Sequence, residues 1–290
     1  MNVSVSTRSK TSTPPGTGLR SSGRQYERMA PTSRLEIAAA RMIADMRGHY
    51  AAGWDSLRAS RHARQMEIDL FGRHIEVAPR NTERDHDVRA WDELSDRERE
   101  LFARHMEVYA AMVKNIDDNV GRLTAALDDA GQLDNTIFVF TSDNGASREG
   151  EVSGTSSYYV HLLQGDDVDA DHARLDLIGG PQTTPHYPRG WAMASNTPYR
   201  LYKINTHAGG HQVPMILAGP GVAESTANGA AGTWRDQYTH VVDVLPTLLE
   251  LTGVAAPSER NGKALKAMQG ISFAPVLANP AASSARTEQY

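Results

Sequence analysis

The chain of 290 residues contains no cysteine. That absence excludes a disulfide framework, a cysteine-ligated zinc and a thiol nucleophile, while saying nothing of compartment. Long apolar runs are also missing. None approaches the roughly 18 residues that would span a bilayer, and no apolar segment behind the N-terminus reads as a secretory signal. Charge of one sign is nowhere concentrated: 30 Lys and Arg are interspersed with 35 Asp and Glu, for a net charge of −5. Neither nucleic acid nor an anionic membrane is therefore an expected partner. Residues 1–33 carry no acid before Glu27 and show neither helical nor strand periodicity. They read as a disordered lead-in, extending to about residue 40.

What remains is long enough to bury one sizeable core without staples. An alanine-rich helical segment is expected over Leu35–Arg47, followed by a second basic helix to about Gln65 and an irregular connection over residues 66–93. Ser95-Asp-Arg-Glu98 is a capping-box pattern. After it, apolar residues recur at Phe102, Met106, Tyr109, Val113, Ile116, Val120, Leu123 and Leu127, with Gly131 as a stop signal. Alternating steps of four and three predict one long helix whose stripe faces a core.

The stretch Thr136-Ile-Phe-Val-Phe-Thr-Ser-Asp-Asn-Gly145 follows at once. Its β-branched and aromatic run predicts a buried strand that delivers Asp143 and Asn144 to its carboxyl end. In an open α/β sheet ligands gather there, and a carboxylate beside a carboxamide suits a hard cation. Asp-Asn-Gly is also ordinary turn chemistry, so this stretch alone leaves both meanings open. Residues 146–195 read as mostly loop, with a solvated acidic run from Asp166 to Asp171.

Further on, Lys203 precedes His207-Ala-Gly-Gly-His211 and the strand Val213-Pro-Met-Ile-Leu-Ala218. The two histidines have the spacing of a helical zinc site. Ala208 stands where a general base would be needed, and Gly209-Gly210 stand where helix is required, which argues against a zinc protease. The glycine pair instead lets the backbone approach a neighbour closely. Pro214 is expected at the start or edge of its strand. A last helix is expected over Asp236 to Gly253, with its well-formed part beginning at Pro246, and loop-like chain beyond Pro257.

Taken in order, Ser142-Asp-Asn-Gly145, Lys203 before Gly209-Gly210 and Val213-Pro214, and Val242-Asp-Val-Leu-Pro-Thr-Leu-Leu-Glu-Leu-Thr-Gly253 resemble the sulfatase family, specifically arylsulfatases of bacterial type in the alkaline phosphatase superfamily. Tyr50-Ala-Ala-Gly-Trp-Asp55, Met106-Glu-Val-Tyr-Ala-Ala111 and His186-Tyr-Pro-Arg-Gly190 add to the resemblance, which covers about Arg47 to Tyr290. It implies an α/β core sheet of alkaline-phosphatase type flanked by helices, with residues 41–290 forming part of a catalytic domain that hydrolyses sulfate esters. It further implies a calcium ion held in part by Asp143 and Asn144 and a sulfate contact from Lys203; His207, close to this lysine in sequence, is a candidate to orient it or share charge with it.

The departures are specific. The family nucleophile is a formylglycine made from Cys or Ser in Cys/Ser-x-Pro-x-Arg. Ser12-Thr-Pro-Pro-Gly16 lacks the arginine, and Asn196-Thr-Pro-Tyr-Arg200 has Asn in the nucleophile position. The N-terminal strand with paired aspartates and the small C-terminal subdomain also have no counterpart. The expectation is a partial sulfatase domain, lacking turnover of its own. The alternatives are a phosphatase or phosphodiesterase of the same superfamily, or a non-catalytic remnant that binds a sulfated ligand.

Overall fold

The computed structural model describes residues 40–165, 167–222, 232 and 234–288, together with the backbone of residues 2–6. The expectations for residues 7–39 and for Asp166 lie outside this set. Strand β1 (Asn2–Ser6) corrects the reading of the N-terminus as patternless. Val3 and Val5 alternate with polar residues, but a period of two over five residues does not stand out from a Ser-rich surrounding.

Residues 40–45 are helical, and α1 (Gly53–Glu67) carries the basic segment. The capping box predicted at Ser95 forms at the start of α2 (Asp96–Asp129): Glu98 N donates to Ser95 Oγ at 3.3 Å and Ser95 N donates to Glu98 Oε2 at 2.8 Å. Gly131, with φ of 65°, ends the helix as expected. The stripe, however, is buried only in its first half. Leu101, Phe102, Met106, Val108 and Ala111 are in the core, whereas Val113, Ile116, Val120 and Leu123 are exposed. Nothing among the described residues covers that second half, so the regular spacing overstated the extent of the core.

The chain continues into β2 (Phe138–Thr141), the short helices α3 (Tyr158–Gln164) and α4 (Val168–His172), then α5 (Arg189–Ser195), α6 (Ala208–His211) and β3 (Pro214–Ala218). After these come β4 (Trp234–Arg235), α7 (Val244–Thr252), the two-residue strands β5 (Glu259–Arg260) and β6 (Lys263–Ala264), and α8 (Ala274–Ala278). The span 146–195 thus holds more helix than its loop-like composition indicated. Likewise, the segment beyond Pro257 contains a strand pair and a helix. Gly253 closes α7 in the left-handed conformation, with φ of 66°.

The main sheet is mixed, in the order β2-β3-β1-β4. β1 runs parallel to β3, while β2 is antiparallel to β3 and β4 antiparallel to β1. The strand ending in Asp-Asn-Gly is therefore an edge strand, not the buried strand expected. Phe140 faces Ile216 across the ladder, and both are exposed. Burial falls instead on the other face of β3, where Met215 and Leu217 are fully enclosed. Pro214 opens β3, where its missing N–H is tolerated.

Two hydrophobic clusters result. One joins Trp54, Trp91, Phe102, Trp191 and their neighbours through Leu201 and Tyr202. Its indole and phenyl rings meet mainly edge to face, as for Trp54 with Trp191 at 5.6 Å between centroids. The other joins Met215 and Leu217 to Phe273, Val276 and Leu277. A buried ion pair fixes the second: Asp243 accepts from Arg286 Nη2 at 2.6 Å and Nε at 2.9 Å, and from the backbone N–H groups of His240 and Ile271. Burial pushes the Asp243 carboxyl up, but Arg286 and those two N–H donors hold it below the usual carboxylate range. No described helix is long and apolar enough to cross a membrane.

Candidate functional site

The two glycine-bearing motifs meet. Gly145 N donates to the carbonyl of Gly210 at 2.9 Å. A Cβ on Gly145 would stand 1.8 Å from the carbonyl oxygen of Gly209, and one on Gly209 would stand 2.0 Å from that of Leu201. Only glycine permits this crossing. It is braced on both sides: Ala146 N donates to Asn196 Oδ1 at 2.9 Å, and Lys203 N donates to the Ala146 carbonyl at 3.0 Å. The loop after β2 and the segment before α6 are thereby laid side by side.

Asp143 is exposed at the end of β2 and its carboxylate makes no hydrogen bond among the described residues. Asn144 is half-buried, with Nδ2 donating to the Gly145 carbonyl at 2.9 Å. Lys203 donates to Glu149 Oε1 at 2.5 Å. Its pKa is raised, chiefly by that hydrogen bond and additionally by the charges of Glu149 and Asp143. Three of the four residues singled out from sequence are thus brought into one neighbourhood.

His207 is the exception. It caps the start of α6, is exposed, and its Nε2 accepts from the Arg200 guanidinium, which also pairs with Glu83. The contacts pair His207 with Arg200 and Lys203 with Glu149, with none between the two among the described residues. The backbone explains the divergence: Leu201 and Ile204 both take positive φ, at 61° and 75°, and turn Lys203 towards residue 149. Nor do His207 and His211 converge on a metal, since His211 Nε2 meets the Thr206 carbonyl at 2.9 Å. Gly209-Gly210 do form a helical turn, contrary to their propensity, because the crossing holds them.

Several residues of the site were missed. Glu149 is the direct partner of Lys203, and His186 lies beside it, with Nε2 3.9 Å from Glu149 Oε2 and 2.8 Å from Ser147 Oγ. His186 opens His186-Tyr-Pro-Arg-Gly190, one of the segments that carry the family resemblance. Asn196, which stands in the nucleophile position of Asn196-Thr-Pro-Tyr-Arg200, is a brace: besides holding Ala146 it donates to the Leu201 carbonyl at 3.0 Å.

Residues 42–254 match the family described as Sulfatase. The chain belongs to the sulfatase family. Sulfatases are hydrolases acting on sulfuric esters. Over 214 residues it is 35% identical to an uncharacterized sulfatase of Schizosaccharomyces pombe, an alignment covering 74% of this chain and 36% of the relative. It is 29% identical over 235 residues to the Arylsulfatase of Klebsiella aerogenes, covering 81% and 47% of the two chains. A Multifunctional alkaline phosphatase superfamily protein of Trinickia caryophylli is 26% identical over 182 residues, covering 63% and 24%. The chain therefore spans less than half the length of these curated relatives.

Sulfatases generally use calcium and a formylglycine. The donor set here is hard, a carboxylate and an amide oxygen, but calcium takes about six to eight oxygens. No group of three or more His, Cys, Asp or Glu side chains placed to hold a metal occurs among the described residues. Asp143 and Asn144 alone do not make a calcium site. The formylglycine precursor motif has no match in the chain.

Proposed function

We propose that the protein is a sulfuric ester hydrolase of arylsulfatase type, in which Lys203 contacts the sulfate group and Asp143 and Asn144 contribute to a calcium shell that needs further ligands. The observation that supports this is the crossing of Gly145 with Gly209 and Gly210, which lays the segment carrying Lys203 alongside the loop that carries Asp143 and Asn144. An ammonium there offsets negative charge on the ester oxygens as the S–O bond breaks. Its compact charge suits a tetrahedral anion.

With no residue able to become the aldehyde hydrate, the 290 residues alone bind aryl sulfates without turning them over. Calorimetric titration of 4-nitrophenyl sulfate tests the first half: Lys203→Met abolishes binding, and unchanged affinity removes Lys203 from the site. Steady calcium-dependent release of 4-nitrophenol by the chain refutes the second. The alternative is phosphate ester hydrolysis by a member of the alkaline phosphatase superfamily, the superfamily for which the Trinickia caryophylli relative is named.

A further inference from the structure

Lys203 does not wait for its anion alone. Glu149 Oε1 already holds the ammonium at 2.5 Å. The second oxygen, Oε2, is buried without a hydrogen-bond partner among the described residues, 3.9 Å from His186 Nε2. That imidazole does not neutralise it. Nδ1 of His186 lies 3.0 Å from the Tyr187 carbonyl and Nε2 lies 2.8 Å from Ser147 Oγ, contacts that a neutral ring satisfies by donating from Nδ1 and accepting at Nε2. Burial, with the charges of Lys203 and His161, holds His186 below its ordinary pKa. Glu149 itself stays ionised. Burial raises its carboxyl, but the Lys203 hydrogen bond and its own backbone N–H bring it below the usual range.

Nearby guanidinium groups have carboxylates of their own: Arg200 with Glu83, Arg148 with Glu151, and Arg189 with Asp87. The immediate surroundings of the Lys203 ammonium are thus two carboxylates, Glu149 in contact and Asp143 acting through its charge. One cation cannot offset both and a doubly charged ligand as well.

We propose that Glu149 is a specificity-determining residue that admits a singly charged ester and turns away a doubly charged one, an inference resting on Lys203 as the anion contact. Lysine has three donor hydrogens, so an ester oxygen can share the ammonium with Glu149. The ligand charge then stands close to a carboxylate of the same sign. A sulfate monoester brings one negative charge, whereas a phosphate monoester brings nearly two above its second pKa of about 6. At about 5 Å, and with the high effective dielectric of a half-exposed site, the extra charge weakens binding on the order of tenfold.

The test is calorimetric titration of the chain at pH 8 with three probes: 4-nitrophenyl sulfate, methyl 4-nitrophenyl phosphate and 4-nitrophenyl phosphate. The two singly charged esters are expected to bind alike and the phosphate monoester on the order of tenfold more weakly. Glu149→Gln closes that gap, and Glu149→Asp, which keeps the charge, preserves it. A gap unchanged in Glu149→Gln, or absent from the unaltered protein, overturns the proposal. Failure of the underlying reading looks different: binding of all three probes is then absent, or indifferent to Lys203→Met.

Discussion

Replacing Gly145 by alanine tests whether the backbone crossing builds the site. The added Cβ would lie 1.8 Å from the Gly209 carbonyl oxygen, well inside any contact a real Cβ tolerates, and the obstacle is main chain with no rotamer to change. Either the overlap is absorbed, at about 1–3 kcal/mol, or the crossing opens. Opening would forfeit the hydrogen bonds from Gly145 N to Gly210, Ala146 N to Asn196 and Lys203 N to Ala146, each contributing about 1 kcal/mol. The cheaper route sets the cost, so a loss of up to about 3 kcal/mol is expected in urea unfolding. The control is Gly131→Ala, at a positive φ of 65° but with nothing within 4 Å, which should cost about 1 kcal/mol. Hydrogen exchange at the Lys203 amide, which is bonded across the crossing, should accelerate in Gly145→Ala and not in the control. Equal destabilisation by the two substitutions, with the Lys203 amide still protected, would refute the reasoning.

Two further outcomes concern charge. Arg286→Met strands the buried Asp243 carboxylate with only two backbone donors and should cost about 3–5 kcal/mol, whereas replacing both partners by apolar residues should recover much of it; a double-mutant cycle in urea decides. His105 is buried, neither ring nitrogen has a partner among the described residues, and burial, with the charges of His186 and Arg104 adding, lowers its pKa to about 3. The folded state therefore binds fewer protons than the unfolded chain between about pH 6.5 and 3, so stability falls as pH drops through that window. His105→Leu should flatten the fall in urea midpoint between about pH 6.5 and 5, and an unchanged slope would assign it elsewhere.

Local signals were legible where the physics is local. Ser95 and Glu98 satisfy each other's backbone groups within one turn, and Gly131 and Gly253 stop helices through their own φ, so short motifs sufficed. What depended on distant partners was not. The apolar run of β2 has the same composition as a buried strand, and only the arrangement of neighbouring strands leaves Phe140 uncovered. The pattern on α2 likewise specifies which face is apolar but not how far something covers it. In the site, Gly209-Gly210 announced a close approach without naming the Gly145 loop that arrives there. Glu149 was invisible because an acid a few positions beyond Asp143 has no signature until Lys203 is turned towards it by the left-handed residues Leu201 and Ile204.

Leu201 and Tyr202 are rooted in the first hydrophobic cluster, Met215 and Leu217 in the second, and the segment carrying Lys203 runs from one to the other. The chain also passes between the clusters at Ile137 ahead of β2, and the Gly145 crossing ties the two passages together, so the two halves of the core are joined beside Asp143 and Lys203. A ligand touching both residues would act as a rivet, and its capture should make the two halves harder to pull apart.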